Sequence, residues 1–150
     1  MAIKYKFKLE ALRKLREAIE ERVKIEVGRI NSEIQIRRDR IAEIEAEISL
    51  GFNSQESLGA SGALGRNFQF YPLYIQGKRE EREKLENEIY SLNMQYERKR
   101  LELNKARGMV KVVNKLKEKD YKKFRNELNK KEETEIEELN QIFKRKKWDE

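Results

Sequence analysis

The residues best able to do chemistry here are carboxylates and a group of four glycines, because histidine and cysteine are both absent. That absence excludes the usual general base, the commonest metal ligand, a thiol nucleophile and any disulfide. The glycines are Gly51, Gly59, Gly62 and Gly65. A phosphate-binding loop needs a preceding strand and a following Lys-Ser or Lys-Thr pair; we predict no strand there, and no such pair follows. The carboxylates lie on solvated helix faces without a pocket, so we predict a non-enzyme that binds no metal or cofactor.

The composition favours long helices over a globular core. Charged residues make up 42% of the 150 residues and hydrophobic residues 37%, with a mean hydropathy of −0.99. Disordered chains and coiled coils both tolerate such values, and apolar residues at helical spacing favour the coil. No apolar run approaches the roughly 20 residues that span a bilayer, and the N-terminus lacks the apolar core of a signal peptide. We therefore expect a cytoplasmic protein.

The apolar spacing predicts a single coiled-coil domain over residues 1–150, formed by two helices that reverse once. Helix one should run from about residue 5 to 50, and helix two from about 72 to 147, with a Gly/Ser-rich connector at 51–71. The stripe of helix one has a mean spacing near the ~3.6 residues of a helical turn, and helix two carries heptads from Leu85. The fold class is all-α: an antiparallel two-helix coiled-coil hairpin with a longer C-terminal helix.

Gly51 and Pro72 define the expected reversal. A glycine after the last apolar residue of a helix is typical of a left-handed C-terminal stop, so helix one should end at Leu50. Proline suits the first turn of a helix because its missing N–H has no partner there, so helix two should begin at Pro72.

The unequal helix lengths leave part of helix two without a partner. Folding back from the connector brings Ile48 near Ile75 and Leu12 near Val110, and the residues beyond about Asp120 extend past helix one. An apolar stripe nevertheless continues there, through Phe124, Leu128, Ile136, Leu139 and Phe143. An exposed stripe of this kind indicates a protein partner.

Basic residues concentrate at the same end of the predicted hairpin. Residues 1–16 carry six Lys or Arg against one Glu, and residues 111–126 carry seven against Glu118 and Asp120. The whole chain has a net charge of +7. Two like-charged segments that lie side by side repel each other, which favours an acidic partner for this end.

Several short segments resemble the flagellar FliJ family of export proteins, which is related to the YscO-type injectisome stalks. They are residues 5–16 (YKFKLEALRKLR) followed by Glu20, 106–107 (AR), 111–119 (KVVNKLKEK), 124–127 (FRNE) and 136–138 (IEE), with a weaker match at 70–71 (FY) and 74–76 (YIQ). The segments cover about half of the chain, in the order found in the family. One departure is Ile136-Glu137-Glu138, where the family usually has Leu-Asp-Glu.

The resemblance implies a stalk-like coiled coil similar to the central stalk of rotary ATPases. Such a protein binds the pore of the hexameric flagellar export ATPase and promotes its assembly and activity. It also contacts the export gate membrane protein of the FlhA type and the export chaperones, and it works at the inner membrane of the flagellar base. It is a monomer when free and binds no nucleic acid.

The resemblance also suggests two sets of contact residues. The predicted ATPase contacts are Phe7, Arg13, Arg16, Lys115, Lys119, Phe124 and Arg125. The predicted export-gate contacts are Ile41, Ile48, Phe52, Tyr74, Lys78 and Leu85.

Three other functions remain compatible with the sequence. The first is the equivalent stalk of an injectisome, which has the same architecture and different partners. The second is a basic coiled coil that binds nucleic acid or an anionic membrane, with affinity that falls steeply as salt is added. The third is a structural coil that dimerises through residues 120–143.

Overall fold

Two α-helices account for nearly all of the described chain. The computed structural model describes residues 3–60 and 65–148. Helix α1 runs from Glu10–Ala60 (51 residues) and helix α2 from Gly65–Trp148 (84 residues). Residues 3–9 precede α1 without regular secondary structure, and no strand occurs in the described ranges. None of the described helices is long and apolar enough to cross a membrane.

Helix α1 does not stop at Gly51, so that prediction was wrong. The helix continues to Ala60, and the φ angle of Gly51 lies outside the left-handed region. A Cβ atom at Gly51 would lie 3.3 Å from Cγ1 of Ile75 and 3.4 Å from Cδ1 of Tyr74. Gly51 is therefore buried where α2 approaches the backbone of α1 closely, and its missing side chain permits this approach.

Pro72 also has a different place from the one predicted. Helix α2 begins at Gly65, which puts Pro72 in the interior of the helix rather than in its first turn. The proline removes one backbone hydrogen bond there, on an exposed position. Of the predicted connector, residues 51–60 and 65–71 are helical, and 61–64 lie outside the described residues.

The two helices contribute to two compact units, and one of them is Arg22–Asn104. Three ion pairs join α1 to α2 in this unit, and the later the α1 residue is in the sequence, the earlier is its α2 partner. They are Glu26–Lys99 at 2.7 Å, Arg37–Glu88 at 2.8 Å and Glu47–Lys78 at 2.7 Å. The two segments are therefore antiparallel. Their core cluster comprises Ile44, Ile48 and Ile75, with Tyr74 and Leu85 packed against it.

The other unit comprises Met1–Glu21 and Lys105–Glu150, and its two segments are also antiparallel. Lys117 Nζ lies 3.1 Å from a carboxylate oxygen of Glu10, and Arg107 lies 3.8 Å from Glu20. The buried residues of α2 here are Ala106, Val110 and Val113. The predicted all-α fold of two long, antiparallel helices is thus confirmed within each unit.

Replacing Gly28 by alanine should stabilise the chain. Gly28 is exposed inside α1, and no atom lies within 4 Å of the place a Cβ would take. Glycine costs about 0.5–1 kcal/mol relative to alanine in a helix interior, so Gly28→Ala should raise the free energy of unfolding by about that amount. Urea denaturation measures the change.

Gly51→Ala is the matched control for this substitution. It gains the same helix propensity but introduces a 3.3 Å contact with Ile75. The gain at position 51 should therefore be smaller than at position 28. A destabilised Gly28→Ala variant, or a larger gain at Gly51, would contradict the packing described.

Candidate protein-binding surfaces

The N-terminal residues before α1 are held against α2 by Tyr5. The Tyr5 hydroxyl donates a hydrogen bond of 2.7 Å to the Asp120 carboxylate. Its ring lies 5.2 Å from the ring of Tyr121, edge-on, and 5.3 Å from that of Phe124. Burial and the neighbouring Asp120 carboxylate raise the pKa of Tyr5 to about 12. Helix one was predicted to begin near this residue; instead, residues 3–9 form a non-helical segment packed on α2 through Tyr5.

Glu10 joins the first turn of α1 to α2. The Arg13 guanidinium donates hydrogen bonds to the Glu10 carboxylate, and Lys117 Nζ donates another at 3.1 Å. These two cations lower the pKa of Glu10 to about 2, with the Arg13 hydrogen bonds as the largest cause. Glu10 also lies at the positive N-terminal end of the helix dipole, where a carboxylate is favourable.

The lowered pKa predicts a specific loss of stability in acid. Because the folded-state pKa of Glu10 lies below the ordinary value of 4.5, its contribution is complete above about pH 4.5 and is lost as the pH falls toward 2. Glu10→Gln should flatten the pH dependence of the free energy of unfolding in that window, as measured by urea denaturation at several pH values. Glu21→Gln, at an exposed glutamate of α1, is the control. Equal pH dependence in wild type and Glu10→Gln would contradict the ion pairs.

The predicted ATPase contacts all fall in the unit that contains both chain ends. Lys115, Lys119 and Arg125 are exposed on α2 and available to a partner. Phe124 is half-buried against Tyr5, and Arg16 donates a hydrogen bond of 3.1 Å to the carbonyl oxygen of Met109.

Two more of these predicted contacts are engaged within the unit itself. Arg13 binds Glu10 and also donates a 2.7 Å hydrogen bond to Glu17. Phe7 is half-buried, and its carbonyl oxygen accepts a hydrogen bond from the N–H of Glu10. The Phe7 carbonyl therefore ties the N-terminal segment to the first turn of α1, and Arg13 is occupied by two glutamates of α1.

A groove of about 890 Å³ adds lysines that the sequence did not single out. It is lined by Tyr5, Lys111, Asn114, Lys115, Lys117, Glu118 and Tyr121. Three of these seven residues are lysines, so the groove continues the basic surface that the sequence predicted. Tyr5 lines this groove together with Lys111 and Lys117. Helical periodicity alone does not reveal this, because Tyr5 precedes α1.

The last part of α2 presents an exposed apolar stripe. Every residue from 129 to 148 is exposed. The large apolar side chains there are between 51% and 88% exposed, and they are Ile136, Leu139, Ile142, Phe143 and Trp148. The sequence had indicated three of them; Ile142 and Trp148 are additions. Glutamates 132–138 and the basic run 144–147 lie along the same stretch.

The predicted export-gate contacts lie in the unit Arg22–Asn104, and Phe52 is the one member of the set that is exposed. Ile48 is only 8% exposed and belongs to the core cluster, against which Leu85 packs. Ile41 is half-buried. Ile48 and Leu85 therefore pack the two helices together.

The other three members of that set are aromatic or basic: Phe52 is exposed, and Tyr74 and Lys78 are half-buried. Lys78 Nζ lies 2.7 Å from Glu47 and 5.5 Å from the centroid of the Tyr74 ring. Phe52 is exposed, and the Arg79 guanidinium stacks over its ring at 5.6 Å. The exposed Phe70 stacks on Tyr74 at 6.0 Å. Phe70 and Arg79 enlarge a surface that the sequence had placed at Phe52, Tyr74 and Lys78.

Comparison with known proteins identifies the family. In the described ranges, no group of carboxylates is arranged to hold a metal ion. No significantly similar chain was found among curated proteins or among solved structures. The family model for the flagellar FliJ protein, in contrast, matches residues 5–147. This match includes both helices and the N-terminal segment that Tyr5 holds on α2. The chain therefore belongs to the flagellar FliJ protein family.

Proposed function

We propose that this chain is a stalk of the flagellar protein export apparatus that binds the pore of its hexameric ATPase and promotes the assembly and activity of that hexamer. It is a binding protein and performs no catalysis itself. The observation that carries this proposal is the exposed stripe of α2 over residues 129–148, which belongs to the same unit as the basic groove. Family membership supports the export role in general.

The chemistry of this unit suits a pore lined by apolar and acidic groups. Ile136, Leu139 and Phe143 supply apolar surface that gains free energy when it leaves water. Lys115, Lys119 and Arg125 supply exposed positive charge, which steers association with an acidic surface. In this proposal, Phe124 supports those contacts by holding Tyr5 of the N-terminal segment on α2, and Arg16 does so by binding the Met109 carbonyl. Phe7 and Arg13 bind within the start of α1.

The unit Arg22–Asn104 would contact the export gate. Of its predicted contacts, Phe52 is exposed and Tyr74 and Lys78 are half-buried beside it, and the exposed Phe70 and Arg79 extend this surface. Aromatic and arginine side chains are enriched among the residues that dominate binding energy at protein interfaces. Binding to a gate protein at this surface would keep the chain at the inner membrane of the flagellar base and couple the ATPase to the gate. Export chaperones are the third class of partner.

The test is the ATP hydrolysis rate of the flagellar export ATPase with and without the full chain. Addition of the chain should raise the rate and saturate near one chain per hexamer. Filter binding to DNA and RNA at several salt concentrations is the parallel measurement. An unchanged hydrolysis rate, together with tight and salt-sensitive nucleic-acid binding, would favour a basic nucleic-acid-binding coil instead. If the chain stimulated an injectisome ATPase and did not stimulate the flagellar one, it would be a stalk of the injectisome.

A further inference from the structure

Helix α2 carries a second apolar seam beside the one that packs on α1. The first seam is buried, and it comprises Ala106, Val110 and Val113. The second seam is between 43% and 54% exposed, and it comprises Met109, Val112 and Leu116. Both seams step by three and four residues, so the second lies within a sector of about 60° on the helix surface. A helix with two such seams is typical of bundles in which it packs against two other helices.

Helix α1 adds apolar side chains at the same level of this unit. Leu15 is 57% exposed and Ile19 is 36% exposed, and the alanines at positions 11 and 18 are exposed as well. The Arg16 guanidinium donates its hydrogen bond to the carbonyl oxygen of Met109, so this part of α1 lies beside the second seam.

The Glu20–Arg107 ion pair shows that these side chains share one side of the helix pair. Because Glu20 and Arg107 lie 3.8 Å apart, they mark one common side of α1 and α2. At 100° per residue, Leu15 lies about 140° around α1 from Glu20, and the second seam lies about 140–180° around α2 from Arg107. Leu15, Ile19 and the second seam therefore form one exposed face opposite this ion pair, which we call the two-helix apolar face.

The charges at the ends of this face are positive. Lys105 and Lys123 lie in the same sector of α2 as the second seam, one before it and one after it. Both are exposed, and neither has an ion pair in the part of the chain that the structure describes. Asp120, on the same side, already accepts the hydrogen bond of the Tyr5 hydroxyl. The face is therefore complementary to an apolar surface that is flanked by carboxylates.

We propose that the two-helix apolar face binds an amphipathic helix of a partner protein, whose apolar stripe is flanked by glutamate or aspartate. A helix laid into an apolar groove is a recurring mode of recognition, and the heptad spacing of the second seam suits it. A second copy of this chain fits less well. Residues 1–16 carry six Lys or Arg against one Glu, and residues 111–126 carry seven against two acids, so two such units repel each other.

This inference goes beyond the proposed function, because the face differs from the basic groove. Asn114 and Glu118 line that groove, and they lie about 150° or more around α2 from the middle of the second seam. The groove and the face are therefore on different sides of the unit, and separate partners have room to bind them.

Fluorescence anisotropy with the full chain and a labelled peptide tests the proposal. The probe is a helical peptide of about 20 residues with a leucine stripe between glutamates, because shorter isolated helices are marginal in water. It should bind the chain, and the same peptide with lysine in place of glutamate should bind about tenfold more weakly or less. Equal binding of the two peptides, or no binding of the acidic one, would overturn the proposal.

A matched pair of variants locates the peptide on the face. Leu15→Glu should weaken its binding by about tenfold or more, because a carboxylate then stands among the apolar side chains and repels the glutamates of the peptide. Ile25→Glu is the control, since Ile25 is 56% exposed on the same helix but lies in the unit Arg22–Asn104. Equal losses in the two variants, with both helical by circular dichroism, would overturn the assignment to this face.

Two further measurements exclude the other occupants. Leu15→Glu should stimulate the export ATPase as the wild type does, whereas a wild type that stimulates nothing would contradict the proposed function and leave the peptide result intact. Loss of stimulation in Leu15→Glu would make the face part of the ATPase contact. Sedimentation of the wild type as a dimer that Leu15→Glu dissociates would make a second copy the occupant. Either of these last two results would overturn the proposal of a separate partner.

Discussion

Replacing Ile136, Leu139 and Phe143 together by glutamine should abolish most of the stimulation of the export ATPase. These side chains are more than half exposed in the free chain, so their removal leaves the packing of the helices unchanged. Burial of large apolar side chains contributes about 1.5–3 kcal/mol each, and retention of even part of this predicts a loss of affinity of about 100-fold or more. Glutamine keeps the helix, since its helix propensity is close to that of leucine. The measurement is the concentration of chain that gives half-maximal ATP hydrolysis.

A matched control separates the stripe from exposed apolar surface in general. Leu101 and Tyr90 are exposed to a similar degree and lie in the unit Arg22–Asn104. Leu101→Gln with Tyr90→Gln should leave the half-maximal concentration unchanged. Full stimulation of the ATPase by the triple variant would contradict the role proposed for residues 129–148. An equal loss of stimulation in the triple variant and in the control would contradict it too.

Ile44→Ala should cause the largest loss of stability among single substitutions. Ile44 is 0% exposed and lies in the core cluster with Ile48 and Ile75. Removing its side chain loses the burial free energy and leaves a cavity, which together cost about 2–5 kcal/mol. The free energy of unfolding from urea denaturation, followed by circular dichroism, gives the value.

Ile36→Ala provides the comparison, because it makes the same chemical change on the same helix. Ile36 is 61% exposed, so its replacement should change the stability by about 0.5 kcal/mol or less, with some gain from the helix propensity of alanine. Similar losses at both positions would mean that Ile44 does not lie in a packed core.

The apolar periodicity was sufficient to predict the fold class and most of the core. Ile44, Ile48, Val110 and Val113 recur at helical spacing and are buried in the structure. Apolar residues at helical spacing lie on one face of a helix, and this is the face that is buried where two helices pack side by side.

The glycines and the proline were the main source of error. A glycine can end a helix or let another helix approach, and the sequence near Gly51 does not distinguish these two uses. The deciding facts are the 3.3 Å and 3.4 Å distances to Ile75 and Tyr74, which involve a different helix. Pro72 similarly suits a first helical turn, yet an exposed interior position tolerates it.

Residue types in the sequence were sufficient to locate the candidate surfaces, but they did not predict which of the side chains are accessible to a partner. Beyond Asp120, the basic residues of α2 and the apolar residues Ile136, Leu139 and Phe143 are exposed as expected, whereas Phe124 and Leu128 are half-buried. The sequence could not show that Arg13 is engaged by Glu10 and Glu17, nor that Tyr5 packs on Phe124, because these contacts depend on the non-helical path of residues 3–9. A tyrosine among alternating lysines before the first helix is the only signal that pointed to such a segment.

Site-specific cross-linking tests the proposed ATPase contact most directly. The chain has no cysteine, so a single Leu139→Cys substitution gives one thiol for a photoactivatable cross-linker. Leu101→Cys, at a similarly exposed leucine of α2, is the control. With the hexameric export ATPase present, the cross-linker at position 139 should couple one chain to the ATPase, and the one at position 101 should not. Coupling from position 101 alone, or from neither position while the ATPase is stimulated, would contradict the account.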